Sequence, residues 1–313
     1  MRVIRGTKAQ VNGLAFSPDG RRLATSGVTG SIQVWDTDTL TVARNLPGGT
    51  WCSHTVRFDP TGEKLYADVE PGRVAVYDVR TGAPGYVSMM PNGRDRFMVG
   101  RGGISPDAGW LLGFEGKYVL MRATEGETVS ADRTSTRLAL WSAPVEQLGY
   151  RGSDIYYVGH STPVAFSPTA PAVAFCVRAD VLVVGVEDHS ARAQCGFEGD
   201  DPQIAFSPDG ELVAVTTSKF ATLFRAETGE EVARADTGQR INAAAFSVTG
   251  RTLFAAGHGK MVRRWHVPSL SEKPPLAWGT GRYFALAPSP TGLTAAVADA
   301  GGRVVLWDLD DDE

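Results

Sequence analysis

An all-β chain built of tandem repeats is the fold class that this sequence predicts, and two observations predict it. The first is a turn-forming segment that returns seven times: LAFSPDG at 14–20, VRFDPTG at 56–62, GISPDAG at 103–109, VAFSPTA at 164–170, IAFSPDG at 204–210, AAFSVTG at 244–250 and LAPSPTG at 286–292. Numbered at the residue that enters each turn, the copies stand at 16, 58, 104, 166, 206, 246 and 288, with steps of 42, 46, 62, 40, 40 and 42. The second is an aromatic residue held at a constant distance beyond the turn. Pro18 to Trp35, Pro60 to Tyr77, Val248 to Trp265 and Pro290 to Trp307 each span 17 residues.

Each repeat reads in the same order. An alternating apolar stretch makes a first strand. The S-P-D-G turn follows, because Pro presets φ at its second position, Asp suits the third, and Gly accepts φ > 0 at the exit. A second strand comes next, as in RLATSG (22–27), KLYADV (64–69) and ELVAVTT (211–217). After a short turn a third strand ends on the aromatic: SIQVWD (31–36), RVAVYD (73–78), MVRRWH (261–266) and RVVLWD (303–308). Alanine stands just before the turn-entering residue in five copies (Ala15, Ala165, Ala205, Ala245 and Ala287), with Arg57 and Gly103 in the others. Small residues there are the expected mark of a first strand crowded near an axis.

Composition bounds what else the chain can be. Its 313 residues are 42% hydrophobic and 21% charged, an ordinary globular mixture with apolar content for a substantial core. The formal net charge of −4 gives no bulk attraction to nucleic acid or to an anionic membrane. The opening MRVIRGTKAQ has no apolar run of signal-peptide length, and no window reaches about 18 uninterrupted apolar residues. Cys52, Cys176 and Cys195 are odd in number and widely spaced, so they read as reduced thiols of a cytoplasmic protein.

The period of about 40 residues, the A-F-S-P-D-G turns and the strand-ending pairs Trp35-Asp36, Tyr77-Asp78 and Trp307-Asp308 resemble WD40-repeat proteins along essentially the whole chain. The resemblance implies a single domain over 1–313: a seven-bladed β-propeller, one four-stranded antiparallel blade per repeat, around a central channel. It also implies how the ring closes. The last repeat supplies three strands before running out into DLDDDE, so RVIRG (2–6) is expected to pair beside Val304–Trp307 as the fourth.

Three features depart from the family pattern. Six residues before each aromatic stand Thr29, Pro71, Gly259 and Gly301, so the turn aspartate of the family's buried hydrogen-bond network is missing and that network is expected to be absent. Ala123, Gly185 and Arg225 occupy the aromatic position in the third, fourth and fifth repeats. The long interval places an irregular insertion at about 124–160, read as a long outer strand plus a hairpin or loop.

No residue pattern calls for a cofactor. His54, His160, His189, His258 and His266 lack metal-ligand spacing, although His54 and His160 both precede first strands. EDHS (187–190) holds the residue types of a nucleophilic triad, but side by side, where they do not converge. GRGG (100–103) lacks the lysine and spacing of a phosphate loop. DLDDDE lacks the spaced ligands and glycine of a calcium loop.

The sharper pattern is charge. In the resembled family, the loops entering the first strand and the turns between second and third strands share one face at the channel mouth. These segments carry Lys8, Arg73, Arg94, Arg96, Lys117, Arg178, Lys219, Arg240, Lys260, Arg282 and Arg303 against Glu70, Asp95, Glu115, Asp180, Asp200 and Asp201. That is eleven basic residues to six acidic, in a chain that is acidic as a whole. Trp51 and Tyr283 are expected among them, and arginine and exposed aromatics dominate binding hot spots. The candidate partner-binding set is therefore Trp51, Arg73, Arg96, Arg178, Lys219, Arg240, Lys260, Arg282, Tyr283 and Arg303. The expected function is a non-catalytic scaffold that binds a protein or peptide with an acidic or phosphorylated surface, as a monomer or as part of a larger complex. The alternative is a propeller enzyme, a metal-dependent hydrolase or lactonase-like, using His54, Asp68, His160 or Asp201 at the channel mouth.

Overall fold

Each S-P-D-G segment is held by local hydrogen bonds. In the first, Gly20 N donates to Ser17 O (2.9 Å), Arg22 N to Ser17 Oγ (2.9 Å), and Ser17 Oγ to Asp19 Oδ1 (2.6 Å). Gly20 takes a φ of 71°, and Gly62, Gly210, Gly250 and Gly292 take values between 73° and 76° at the same place. The third copy puts Ala108 there at 56°, held by the same pattern from Ser105 and Asp107.

The turns join strands into an all-β propeller whose blades are four-stranded antiparallel sheets. The computed structural model describes residues 1–5, 9–49, 53–88, 98–115, 118–123, 140–144, 162–188, 190–278 and 281–309. Among them are seven such sheets, at 11–46, 56–88, 98–144, 164–196, 203–236, 241–277 and 283–308, the last including Arg2–Arg5. Six are meanders of consecutive strands; in the seventh, Arg2–Arg5 lies beside Arg303–Asp308, with Val3 opposite Val305 and Ile4 opposite Val304.

The first strands of all seven sheets line one cavity of about 220 Å³, through Leu14, Val56, Gly102, Val164, Ile204, Ala244 and Leu286. Each of these stands two residues before the turn-entering residue. The axis-facing position is therefore not the alanine position. Ala15, Ala165, Ala205 and Ala287 pack instead with the apolar clusters between neighbouring sheets, where a small side chain lets two twisted sheets approach. Arg57 takes that place in the second sheet, and burial holds its guanidinium below the usual arginine range against the pull of Asp107.

The aromatics fill a repeated slot opposite the second strand. Trp35 faces Leu23, Tyr77 faces Leu65, Trp265 faces Leu253 and Trp307 faces Ala295. In the fifth sheet the equivalent slot, opposite Val213, holds Phe224, which is fully buried. The 17-residue count points one place too far, to Arg225, because the hairpin between second and third strands is one residue shorter there. The same shortening puts Val184 opposite Val173 in the fourth sheet and Arg122 opposite Leu111 in the third. Burying a side chain such as Trp265, at 1% exposure, contributes about 2–3 kcal/mol. Part of a buried polar network does survive: Trp35 Nε1 donates to Thr25 Oγ1 (3.1 Å). Trp307 Nε1 is buried without a partner among the described residues.

Of the insertion expected at 124–160, Leu140–Pro144 is the fourth strand of the third sheet. The expected hairpin or loop lies outside the described residues.

Backbone bonds sort the connections onto two faces. On one, the loop entering a sheet accepts from the turn between its second and third strands: Val28 N to Gln10 O (3.1 Å), Ser218 N to Asp200 O (3.0 Å), His258 N to Arg240 O (3.0 Å) and Ala300 N to Arg282 O (2.9 Å). On the other, the S-P-D-G turn accepts from the turn after the third strand, as in Val79 N to Glu63 O (2.8 Å) and Leu309 N to Leu293 O (2.9 Å).

Candidate functional site

Because the entry loops of the first, fifth, sixth and seventh sheets are bonded to the turns of their own sheets, those loops and turns share one face around the central cavity. The candidate residues fare differently on it. Arg73 is engaged locally, with Nη1 3.3 Å from Glu70 Oε2 and its guanidinium 4.0 Å over the Tyr86 ring. Arg303 Nε lies 2.9 Å from Oδ2 of the buried Asp299, whose Oδ1 also accepts from Gly301 N and Arg303 N. Arg178 is exposed at the tip of a turn, with φ 56°. Tyr283 overturns the expectation of an exposed aromatic: it is 0% exposed. It opens its strand facing inward, its ring edge-on to Trp278 (centroids 6.4 Å apart), and its carbonyl accepts from Asn242 Nδ2 (2.7 Å). Trp51 and Arg96 lie outside the described residues, as do Lys8, Arg94 and Lys117.

Four candidates remain, and they run in an arc from the fifth sheet to the seventh. Lys219, Arg240, Lys260 and Arg282 are all exposed. Arg240 Nε is 3.0 Å from Asp201 Oδ2, whereas Lys219, Lys260 and Arg282 have no ion-pair partner among the described residues. His258, half-buried, stands in the same turn as Lys260. Its N donates to Arg240 O, and its ring lies 6.4 Å from that of Phe284. Burial first, then the charges of Arg282 and Arg240, hold its imidazole below the ordinary histidine pKa, against the opposite pull of Asp201. Sequence reasoning set His258 aside for want of metal spacing; its place in the turn bonded to Arg240 is the signal that could have found it.

Lys260 carries a backbone penalty. Its φ is 58°, at the position five residues before the aromatic where Gly30, Gly72 and Gly302 take 71°, 69° and 78°. A left-handed non-glycine residue costs about 1 kcal/mol, and such strain persists at positions kept for their side chain. Lys260→Gly is therefore expected to raise the unfolding free energy by up to about 1 kcal/mol, less the backbone entropy that glycine adds to the unfolded chain. The readout is the urea midpoint; an unchanged or lower midpoint would mean that lysine sits there without strain.

A family model described as "WD domain, G-beta repeat" matches residues 1–36, the closing strand and the first sheet as far as Trp35-Asp36. A curated relative, the "Transcriptional corepressor LEUNIG_HOMOLOG" of Arabidopsis thaliana, is 21% identical over 309 residues, covering 97% of this chain and 36% of that protein. These matches and the seven repeated sheets support a WD40-repeat family for this chain. It spans about a third of the length of the relative it matches.

Other chemistry finds less support in this chain. Asp68, a candidate for the enzyme reading, is 7% exposed and clamps the loop entering the second sheet: Ser53 Oγ (2.8 Å), His54 N (3.0 Å) and Thr55 N (2.8 Å) all donate to its Oδ1. Burial pushes its carboxyl up to about 6. Asp201 is engaged by Arg240 and His160 lies outside the described residues. Among the described residues no three His, Cys, Asp or Glu side chains gather as metal ligands. Asp188 of the EDHS segment accepts from Ser190 N and Oγ, which is turn geometry. Cys176 and Cys195 are free and buried, and burial pushes the Cys195 thiol up to about 11, away from nucleophilic thiolate at neutral pH. A cavity of about 550 Å³ on the opposite face is lined by Asp19, Arg22, Glu63, Asp78 and Arg80, charges of both signs, with Asp19 and Asp78 bonded to Ser17 and Thr81.

Proposed function

We propose that the chain is a non-catalytic protein–protein interaction scaffold, a single domain of seven blades closed by Arg2–Arg5 that presents its loop-rich face to a protein or peptide. The observation that carries this is the arc of exposed cations at the cavity mouth, three of them unpaired among the described residues, in a chain of net charge −4. Unpaired charge on an otherwise acidic molecule gives a partner its orientation and speeds its encounter, and an acidic partner surface complements it. The relative's name, a transcriptional corepressor, agrees with a regulatory rather than a catalytic role. A cytoplasmic location belongs to the same proposal, supported by the free buried thiols Cys176 and Cys195.

The test is affinity capture from a lysate of the source organism, with the wild type beside the Arg240→Glu/Lys260→Glu/Arg282→Glu variant and mass spectrometry of what is retained. A partner held by the wild type and lost by the variant is the expected result. A partner held equally by both would move the binding site off this face. An empty capture in both would count against a scaffold.

A further inference from the structure

The first strands of the first, sixth and seventh sheets share an irregularity near their start. Their register against the second strand slips between Val11 and Gly13, between Ile241 and Ala243, and between Tyr283 and Ala285. Asparagine occupies the slipped position in two of them, as Asn12 and Asn242, which are 4% and 7% exposed. Asn242 Nδ2 donates across to the carbonyl of Tyr283 in the next sheet (2.7 Å). Asn12 does not repeat that bond. Its Oδ1 accepts from Gln10 Nε2 (2.7 Å), and its Nδ2 is buried with no hydrogen-bond partner among the described residues. A buried donor left unanswered is costly, so its surroundings bear on what answers it. The two asparagines differ there as well: Asn12 lines the central cavity of about 220 Å³, and Asn242 is not among its lining residues.

That cavity gives the donor a mostly apolar setting, with walls supplied by Leu14, Val56, Val164, Ile204, Ala244 and Leu286. Its other polar residues are engaged. Thr55 Oγ1 accepts from Gly102 N (2.9 Å), Gln203 Nε2 donates to Asp201 O (3.3 Å), and His54 N donates to Asp68 Oδ1 (3.0 Å). Arg57 already has the opposite charge of Asp107 acting on it. A charged ligand would therefore be buried there without a counter-ion of its own, at a high desolvation cost. A neutral oxygen acceptor answers Asn12 without that cost. Solvent on such walls finds one donor and little else, and an apolar body that displaces poorly held water gains affinity. Volume sets the size of that body. An apolar protein cavity of about 150 Å³ takes up benzene. One of about 220 Å³ has room for a ring of that order with a polar substituent.

We propose that the central cavity binds a small neutral molecule, a compact aliphatic or cyclic body carrying one carbonyl oxygen that accepts from Asn12 Nδ2. The apolar walls hold the body, and Asn12 sets its orientation. This site lies among the first strands rather than on the loops, so it stands whether or not the loop face holds a protein partner.

The experiment uses three compounds that share one ring and differ in the group it carries: cyclohexanone, cyclohexanecarboxylate and cyclohexylamine. Each is titrated into the isotope-labelled full chain while NMR follows the Asn12 side-chain amide, assigned by its loss in Asn12→Leu. Cyclohexanone is expected to shift that signal saturably, with the carboxylate and the protonated amine at least about tenfold weaker. Asn12→Leu should weaken cyclohexanone binding about tenfold, read from the backbone amides of the cavity residues. Its fold should hold, since an apolar side chain of similar shape replaces a donor that is already unsatisfied. Ala244→Leu leaves Asn12 in place, fills the cavity and should abolish cyclohexanone binding, with urea unfolding confirming a native chain. If Asn12→Leu does not fold, the three compounds and Ala244→Leu decide the matter without it. No response to cyclohexanone, an equal or stronger response to the carboxylate or the amine, or unchanged affinity in either folded variant would each overturn the proposal.

Discussion

Ile4→Ala is expected to lower the unfolding free energy by about 2–5 kcal/mol, the cost of emptying a large aliphatic site in a packed core. Ile4 is 1% exposed although it lies four residues from the start of the chain. It stands opposite Val304 in the closing pair of strands. It packs with Val11, Phe16 and Leu23 of the first sheet and with Val304 and Leu306 of the seventh, so one side chain joins the two ends of the ring. Arg5→Ala, its exposed neighbour in the same strand, is the control and should stay within about 0.5 kcal/mol of wild type. Weakening this pair also frees the edge of Arg303–Asp308, so self-association at high concentration should rise in Ile4→Ala. Urea unfolding followed by tryptophan fluorescence, with light scattering of the native protein, reads both effects. An Ile4→Ala chain as stable as the Arg5→Ala control would mean that the first strand rests on the sheet without holding it.

Most of the fold was legible because its signals are local. The S-P-D-G turns set their own hydrogen bonds, and the strand boundaries follow from them, as the third strands at Arg73–Asp78, Met261–His266 and Arg303–Asp308 illustrate. What counting residues missed was a matter of register. Phe224 fills the aromatic slot of the fifth sheet, but a hairpin one residue shorter moved it off the expected number. The alanines before the turns were read toward the axis, whereas strand alternation turns them toward the neighbouring sheet and leaves Leu14 and its counterparts to line the cavity.

The candidate site was legible as a face and much less so as a set of residues. Charge in a loop can be counted from sequence, but its availability depends on what lies beside it. Glu70 with Tyr86 engages Arg73, and the buried Asp299 engages Arg303. Tyr283 was misread because the first residue of a strand looks like the last residue of a loop until the pleat direction is known. His258 carried no spacing signal, since its neighbours Arg240 and Arg282 come from other segments and are brought near it only when the sheets pack.

Asp68 gives the second large effect. Relative to Asp68→Asn, the wild-type chain is expected to lose on the order of 3 kcal/mol of stability as pH rises from about 4 to about 6, and to run parallel to it above that. In the unfolded chain the carboxyl releases its proton near 3.8, whereas burial in the folded chain delays release to about 6. Between those values the folded state holds the extra proton, so stability falls as pH rises, by about 1.4 kcal/mol per pH unit across that window. Asp19, Asp36, Asp78, Asp188 and Asp209 move the other way, each lowered first by a hydrogen bond from a Ser or Thr of its own turn. Their stabilisation is present above 3.8 and lost only as pH falls through their lowered values, so the two windows do not overlap. Asparagine suits the comparison because Oδ1 of Asp68 already accepts from all three donors, and the bond from His54 N to Oδ2 is the longer one (3.2 Å). Asp68→Ala strands those donors instead and should cost about 2–4 kcal/mol at neutral pH. Urea midpoints of the three chains between pH 4 and 7.5 read all of this together. Wild-type and Asp68→Asn curves that stay parallel through the window would show that Asp68 is charged well below pH 6, and that its three donors outweigh its burial.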